Sequence, residues 1–190
     1  MSLLAAQTLL TPKEYIVAER KATLKSEYLS GDIVAMSGAS NEHNLITVNT
    51  VNGLYNQLAE RGCRVYGSDM RVGINAGDFY FYPDVSVVCE KPRFEDNEFD
   101  TLLNPIVVVE VLSPSTEKYD RGVKFTRYQQ LKSLQEYILI SQDQIRVEHY
   151  FRQGNLWQSN ELTIRKDVLP LVSVDAKLAL RLIYRFVEID

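Results

Sequence analysis

The sequence predicts an α/β (α+β) fold, in which helices flank a mixed central β-sheet with an N-terminal hairpin and a C-terminal extension of strands. Two observations predict it. Predicted segments follow the order helix, hairpin, helix, two or three strands, helix, three strands and helix, which is typical of this class. A length of 190 residues also suffices for one hydrophobic core. We therefore expect a single domain over residues 1–190.

Composition excludes several classes of protein. With 45% hydrophobic and 24% charged residues, the chain is neither disordered nor fibrous. It has no apolar run of about 18 residues, and the first ten residues lack the basic flank of a secretory signal. We therefore expect a cytoplasmic protein without a membrane segment. A net charge of -4 argues against broad electrostatic binding of nucleic acid, so any such binding requires a local basic surface.

The two cysteines, Cys63 and Cys89, match no metal-binding spacing. The small number and wide separation of the cysteines suit a reducing compartment. We expect both side chains to be free core thiols.

The N-terminal third carries clear helix and turn signals. Thr11, Pro12 and Glu14 predict a capped helix that runs to about residue 22. Residues 24–29 and 32–36 flank Ser30-Gly31 and predict a β-hairpin. Ser40 or Asn41 caps a second helix, which ends at Gly62. Its predicted apolar face consists of Leu45, Val48, Val51, Tyr55 and Leu58.

Strands dominate the rest of the chain. Pro83 interrupts the second of the next two strand segments, so its inner part is expected from Asp84. Pro114 ends a buried strand, and a helix follows from Ser115 or Thr116 to about residue 132. The predicted strand segments are 64–74, 79–89, 106–112, 136–140, 145–152 and 156–164. Residues 90–104 form a long connection, and 174–187 are expected to form a closing helix.

Glu110 lies in a run of branched apolar residues, NPIVVVEVLSPST. If the strands around Asp84 and Glu110 are antiparallel neighbours, the two carboxylates face each other. A buried carboxylate must be protonated, paired with a cation or bound to a metal. Two facing carboxylates favour Mg²⁺ or Mn²⁺, whereas a salt bridge from Glu110 to a lysine or arginine is the structural alternative.

The helix after Pro114 places Asp120, Lys124 and Tyr128 at intervals of four residues, hence on one face. A lysine that reaches back towards two carboxylates and an ion can orient or deprotonate water and stabilise a phosphorane. An exposed helix pair of Asp120 and Lys124 is the alternative.

Several motifs together resemble one family. They are Tyr82-Pro83-Asp84-Val85, Val109 to Thr116, the series Asp120, Lys124 and Tyr128, Glu27 to Asp32, Ala35-Met36-Ser37, and Glu42-His43. The combination resembles the Uma-two family of restriction endonucleases and covers the chain from Thr11 to its C-terminal segment. The resemblance implies the PD-(D/E)XK nuclease fold, a divalent metal (Mg or Mn), and hydrolysis of DNA phosphodiester bonds.

Carried over by motif, Asp84 is the first acid and Glu110 the second, and both are expected to bind the metal. Leu112 stands where the usual pattern has its lysine, so the resemblance implies that Lys124 replaces it from the following helix. Glu27 is either a further carboxylate of the site or a surface residue. His43 either orients water or phosphate or is structural.

A cationic patch beside the proposed site consists of Arg121, Lys124 and Arg127, with Lys118 and Lys132 near its ends. It is the predicted local surface for nucleic acid, and a solvated helix face is the alternative.

Three classes of function remain open from the sequence. The first is a metal-dependent nuclease acting on DNA. The second is a catalytically inactive nucleic-acid-binding module with the same fold. The third is an interaction protein that forms a homodimer through its strand-rich C-terminal half, an assembly that is compatible with nuclease activity.

Overall fold

The computed structural model describes residues 9–189. Residues 1–8, which hold most of the segment tested for a secretory signal, lie outside the described part. The helices are α1 (Pro12–Glu19), α2 (Asn41–Leu58), α3 (Glu117–Tyr119), α4 (Phe125–Tyr128) and α5 (Leu180–Ile183). The first eight strands are β1 (Ser26–Leu29), β2 (Asp32–Ala35), β3 (Arg64–Gly67), β4 (Arg71–Ile74), β5 (Phe79–Phe81), β6 (Val85–Val88), β7 (Thr101–Leu102) and β8 (Val107–Leu112). The last five are β9 (Glu136–Ser141), β10 (Val147–Gln153), β11 (Leu156–Leu162), β12 (Val168–Leu171) and β13 (Ala176–Ala179).

The strands form three sheets. A six-stranded sheet has the order β11-β10-β9-β8-β6-β3, and a five-stranded sheet has the order β2-β1-β5-β4-β7. In the larger sheet β8 and β9 are parallel, whereas the other pairs are antiparallel. Strands β12 and β13 form a separate hairpin. The structure therefore confirms the predicted mixed sheet flanked by helices.

The N-terminal signals act as expected. Thr11 and Glu14 form a capping box at α1, which ends at Glu19, before the predicted residue 22. The Ser40 side chain caps α2 by accepting a hydrogen bond from the backbone of His43. Between β1 and β2, Leu29 pairs with Asp32, so Ser30 and Gly31 make the turn, with Gly31 at φ 112°. Local chemistry therefore determined these boundaries.

The buried face of α2 differs from the prediction. The structure buries Ile46, Thr50, Leu54 and Leu58, and of the predicted apolar face only Leu58 belongs to this set. Gly53 lets the helix approach β13, since a Cβ atom there would lie 2.7 Å from Leu178 Cδ2. Because α2 carries apolar residues on two faces, periodicity alone did not identify the one that faces the core.

Two predicted strand segments each split between the sheets. Residues 64–74 form β3 and β4, and residues 79–89 form β5 and β6, with the second break at Pro83 as expected. The predicted connection 90–104 contains β7, which pairs with β4. The helix after Pro114 spans residues 117–128 and contains a π-helical turn at Asp120–Lys124, so it ends before the predicted residue 132.

The predicted closing helix over residues 174–187 is wrong. Residues 176–179 form β13, paired with β12, and only Leu180–Ile183 are helical. Asp175 adopts a left-handed conformation with φ 47°, which turns the chain back into the hairpin. Burial of Ala176 and Leu178 with exposure of Lys177 follows the two-residue period of a strand.

The prediction of two free thiols is also wrong, because Cys63 and Cys89 form a disulfide. In the β3–β6 register Arg64 lies opposite Val88, so the residues one step further out meet, with their Cα atoms 3.9 Å apart. No helix within residues 9–189 has the length and apolar character needed to cross a lipid bilayer.

The disulfide joins residues that are 26 positions apart, one just before β3 and the other just after β6. Replacing both cysteines with serine is expected to lower the free energy of unfolding by about 2–4 kcal/mol, because the unfolded chain regains the freedom that the bond removes. Urea unfolding with and without dithiothreitol measures the effect. The wild type should lose stability on reduction and the double variant should not respond. Equal urea midpoints for the wild type and the double variant, each with and without dithiothreitol, would contradict the expectation.

Candidate active site

Asp84 and Glu110 stand opposite each other on neighbouring strands. Val85 pairs with Val109 in the antiparallel β6–β8 ladder, and the next step of this register places Asp84 opposite Glu110. Asp84 Oδ2 accepts a hydrogen bond of 2.7 Å from the backbone N–H of Val111. The strand geometry therefore brings together the two acids that the sequence singled out.

Glu110 points to the face of the sheet that α2 does not cover. Val107, Val109 and Val111 belong to the core under α2, whereas Val108 and Leu112 pack with the opposite core. Glu110 alternates with the first set and is only 3% exposed. Its carboxylate is therefore removed from bulk water.

Lys124 joins three parts of the fold at this carboxylate. Its Nζ atom lies 2.8 Å from Glu27 Oε1, 3.1 Å from Glu110 Oε1 and 3.5 Å from Asp120 Oδ1. Glu27 comes from β1, Glu110 from β8, and Asp120 from the same helical segment as the lysine. One buried ammonium group thus connects the hairpin, the central sheet and the helix after Pro114.

Burial and charge shift the pKa values in this cluster. Burial raises the pKa of Glu110 well above its ordinary value; Lys124 opposes the shift, and nearby Asp120, Asp84 and Glu27 reinforce it. Burial would lower the pKa of Lys124, but Glu110, Glu27 and Asp120 together hold it well above its ordinary value. The pKa of Asp120 is also raised, first by burial. Lys124 is therefore a permanent cation among carboxylates that exceed it in number.

Two tyrosines position this cluster. The Tyr128 hydroxyl donates to Glu110 Oε1 at 3.3 Å, and the Tyr137 hydroxyl donates to the Asp120 carbonyl at 3.0 Å. The π-helical turn lies between Asp120 and Lys124, and turns of this kind are frequent at functional sites. The four-residue spacing of Asp120, Lys124 and Tyr128 brings all three side chains to the site.

The sequence analysis missed two aromatic residues of the site. The ring centroids of Phe81 and Tyr119 lie 5.7 and 5.9 Å from Lys124 Nζ, within the range of cation–π attraction. Burial, followed by the charge of Glu27, raises the pKa of Tyr119. Their position in the sequence was the available signal, because Phe81 lies just before Tyr82-Pro83-Asp84 and Tyr119 just before Asp120.

Glu27 and His43 both belong to the site. Glu27 is 3% exposed, and its Oε1 atom also accepts a hydrogen bond from the backbone of Tyr82 at 3.2 Å, so it is not a surface residue. His43 Nε2 lies 2.8 Å from Asp84 Oδ1. The first turn of α2 thereby contacts the residue that precedes β6.

The predicted cationic patch does not form as a continuous surface. Lys124 is buried, and Arg121 is held by Glu117 and by Glu148, whose Oε1 is 2.8 Å from Arg121 Nη2. Arg127 stacks on the Phe79 ring at 4.5 Å. Lys118 is exposed. Neighbouring carboxylates and an aromatic ring therefore engage Arg121 and Arg127, whereas Lys118 and Lys132 are exposed.

Comparison with known proteins gives the family. Residues 12–181 match the Uma2 family model, which is described as "Putative restriction endonuclease". The chain belongs to the Uma2 family.

Two relatives of this Uma2 chain come from Synechocystis sp. (strain ATCC 27184 / PCC 6803 / Kazusa). It is 41% identical to "Uncharacterized protein sll1609" over 163 residues, which cover 85% of this chain and 92% of that protein. It is 36% identical to "Uncharacterized protein slr1290" over 179 residues, which cover 93% and 92% of the two chains. The match extends over nearly the full length of both relatives.

A solved structure shares the fold of this Uma2 chain. The crystal structure of "a putative nuclease belonging to DUF820" from Anabaena variabilis ATCC 29413 superposes with a TM-score of 0.76 at 19% identity. The alignment covers 94% of this chain and 99% of the other. The restriction-endonuclease-like fold is therefore shown, and nucleases of this fold generally use divalent cations.

This Uma2 chain has Leu112 where the usual nuclease pattern has a lysine, and a different lysine contacts Glu110. Leu112, two residues after Glu110, is buried in the apolar core. Lys124 instead brings its ammonium group to Glu110 from the following helix. Lys124 therefore reaches Glu110 from the helical segment after β8, and not from β8 itself.

The donor set of the site suits a hard divalent cation. Within residues 9–189, no three histidine, cysteine or acidic side chains are grouped closely enough to form a complete protein cage for a metal. Mg²⁺ commonly uses only one or two carboxylates and keeps water molecules or substrate phosphate as its other ligands. Lys124 Nζ and the Tyr128 hydroxyl both contact Oε1 of Glu110, at 3.1 and 3.3 Å. Glu27, Glu110 and Asp120 surround one lysine, and this excess of acidic side chains favours an additional positive charge.

A second buried ionisable pair lies away from this site. His149 Nε2 is 2.6 Å from Glu136 Oε2, and both residues line a cavity of about 520 Å³. Glu136 pairs in register with Val107 and therefore shares the sheet face opposite to that of Glu110. Glu136 also accepts a hydrogen bond from the backbone of Ser173, so the pair connects β9 and β10 with the segment after β12.

Burial of Glu110 has a consequence for stability. Its pKa is higher in the folded than in the unfolded chain, so the stabilising contribution of neutral Glu110 is complete below its ordinary pKa of 4.5 and is lost as the pH rises through the folded value. We expect wild-type stability to fall relative to Glu110→Gln as the pH rises from 4.5 into the mildly alkaline range. Urea unfolding across this range measures it. Glu161→Gln, at an exposed residue, is the control, and its free energy of unfolding should change with pH in parallel with that of the wild type. A Glu110→Gln curve parallel to the wild-type curve would refute the expectation.

Proposed function

We propose that this Uma2 protein is a divalent-metal-dependent endonuclease that hydrolyses DNA phosphodiester bonds. The observation that carries the proposal is the facing pair of Asp84 and Glu110 with the Lys124 ammonium group 3.1 Å from Glu110. Two acids and a lysine on adjoining elements supply the ligands and the fixed positive charge that phosphodiester hydrolysis requires.

Asp84 and Glu110 would hold Mg²⁺ or Mn²⁺. When bound, such an ion lowers the pKa of a coordinated water and neutralises charge on the phosphate. The backbone N–H of Val111 and the ring of His43 each contact a different oxygen of Asp84, at 2.7 and 2.8 Å. These contacts fix the orientation of the carboxylate, so His43 is a positioning residue in this proposal.

Lys124 acts as a hydrogen-bond donor. Its raised pKa keeps it protonated at neutral pH, so it orients water and stabilises negative charge on phosphate oxygens, and it does not deprotonate the attacking water. Glu27 and Asp120 hold the ammonium group in place from two sides. The sequence leaves two roles open for Lys124, to orient water or to deprotonate it, and this proposal keeps only the first.

A catalytically inactive nucleic-acid-binding module is the second candidate. Two observations favour it: Leu112 occupies the usual lysine position, and Lys124 is already engaged by three carboxylates. Wild-type protein that binds duplex DNA at low salt but leaves it intact with either metal would support this candidate over the nuclease.

Removing the proposed ligand or donor should abolish cleavage. We expect Glu110→Gln and Lys124→Met each to slow the nicking of supercoiled plasmid in Mg²⁺ or Mn²⁺ by at least about 100-fold, a loss typical for a fixed electrostatic group. Gel-based time courses measure the rate. The exposed matched controls, Glu161→Gln and Lys166→Met, should cut at the wild-type rate. Cleavage that persists in both site variants would refute the mechanism.

Substitutions of Lys118 and Arg121 should have different effects, because the two side chains differ in exposure and in ion pairing. Lys118 is exposed, so Lys118→Ala should weaken duplex binding similarly for all sequences and reduce the salt dependence of log K by about 1. Arg121 is held by two glutamates, so Arg121→Ala should lower thermal stability. Fluorescence anisotropy between about 50 and 200 mM salt tests the first expectation, and thermal melting tests the second. A salt slope unchanged by Lys118→Ala would remove this residue from the nucleic-acid surface.

A further inference from the structure

A cavity of about 520 Å³ lies against the face of the six-stranded sheet that is opposite to Glu110. Two of the residues that line it, Glu136 and His149, are almost fully buried, with 2% and 3% of their surface exposed. Protein interiors leave few voids larger than a water molecule, whereas pockets for small molecules measure about 300–1,000 Å³. The size of this cavity is therefore that of a small-molecule site.

Strand register places the lining residues together. His149 pairs with Asn160 of β11, and Phe151 pairs with Glu136 of β9. Residues that pair across an antiparallel ladder share a face, and His149 and Phe151 are two positions apart on β10, so all four side chains lie on one side of the sheet. The ring centroids of His149 and Phe151 are 5.2 Å apart. An aromatic wall of the cavity thus adjoins the buried ionisable pair.

The lining has hydrogen-bonding capacity that the protein does not use. Glu136 accepts from the backbone N–H of Ser173 at 2.7 Å and lies 2.6 Å from His149 Nε2. A carboxylate only accepts hydrogen bonds, so the proton of the second contact is on Nε2. Within residues 9–189, the other ring nitrogen, Nδ1, and the buried Ser173 hydroxyl have no hydrogen-bond partner. Both residues line the cavity, so a molecule inside it can supply these partners.

Three carboxamides add paired donors and acceptors to the lining. They belong to Gln135, Gln153 and Asn160, and the last two residues are exposed. A carboxamide carries a donor next to an acceptor. This pair is complementary to the N6 amino group and the N7 atom of adenine, which asparagine and glutamine bind with two hydrogen bonds. The polar part of the lining therefore matches the edge of a planar heterocycle.

The charge of the lining argues against a phosphate group. Among the described residues that line the cavity, Arg152 is the only lysine or arginine. Its guanidinium group already donates to three backbone carbonyls, those of Gln129, Leu131 and Leu134. No free cation of the lining therefore neutralises a phosphate, and the Glu136 carboxylate repels one. This cavity suits an uncharged ligand better than a nucleotide or a nucleic-acid strand.

We propose that this cavity binds an uncharged nucleobase or nucleoside, with adenine as the base that matches the lining best. Phe151 offers a ring on which any base can stack, and the carboxamide of Asn160 selects adenine. His149 and Ser173 supply further hydrogen-bonding groups. The site lies on the other face of the sheet from Glu110, so the proposal does not rest on nuclease activity.

Isothermal titration calorimetry with adenosine tests the proposal. The usual binding energy per atom of a drug-sized ligand predicts a 1:1 complex with a Kd of about 0.1 mM. Asn160→Leu removes the carboxamide at similar size, and His149→Phe keeps a ring without its nitrogens. Each should raise the Kd at least about tenfold. The matched control is Gln158→Leu, on the same face of β11 but outside the lining, and it should bind adenosine like the wild type.

Adenosine monophosphate is the second probe. It should bind more weakly than adenosine, because its phosphate meets no free cation in the lining. Thermal melting verifies that each variant is folded. Because His149→Phe leaves Glu136 without its partner, Asn160→Leu, at an exposed position, provides the test if the histidine variant is unstable.

Three results overturn the proposal. The first is the absence of binding up to about 2 mM adenosine, well above the expected Kd. The second is a Kd for adenosine that Asn160→Leu leaves unchanged, because the ligand then binds elsewhere. The third is tighter binding of the monophosphate, or of a single strand of deoxyadenosines, than of adenosine, because it would reveal a contact to phosphate.

Discussion

The buried Lys124 ammonium group is the interaction on which the site depends. It ties β1 through Glu27, β8 through Glu110 and its own helical segment through Asp120. Removing one partner from a buried ion cluster leaves uncompensated charge and costs about 3–5 kcal/mol. Three elements that are distant in the sequence are therefore held together by one charge, and the proposed catalytic geometry results from the same contacts that stabilise the fold.

The cluster contains more acidic than basic side chains. Glu27, Glu110 and Asp120 lie within 3.5 Å of one lysine, Asp84 stands opposite Glu110, and the pKa values of Glu110 and Asp120 are raised. Clustered carboxylates with raised pKa values are typical of sites that bind a metal or do acid–base chemistry. Apolar residues of similar volume would often stabilise the fold more than a buried ionic cluster does. The surplus of acidic side chains over lysine is thus an argument for function, and it agrees with the family and fold of the chain.

Helix α2 connects the site, the core and the surface. Its first turn brings His43 to Asp84, its inner face packs on the sheet, and its outer face exposes Val48 and Tyr55. The apolar side chains on both faces explain why periodicity alone did not identify the inner face.

The sequence by itself determined the helix caps, the Ser30-Gly31 turn and the strand around Glu110, because these depend on residues close in the chain or on strand alternation. Only the tertiary structure decided that β6 lies beside β8, which places Asp84 opposite Glu110. Motif order also identified the family. Tertiary structure alone decided that Glu27 is buried at Lys124 and that Arg121 is held by Glu148. It also decided the disulfide and the hairpin that replaces the predicted closing helix. The physical reason is that these features depend on which distant strands become neighbours, and local periodicity carries no information about that.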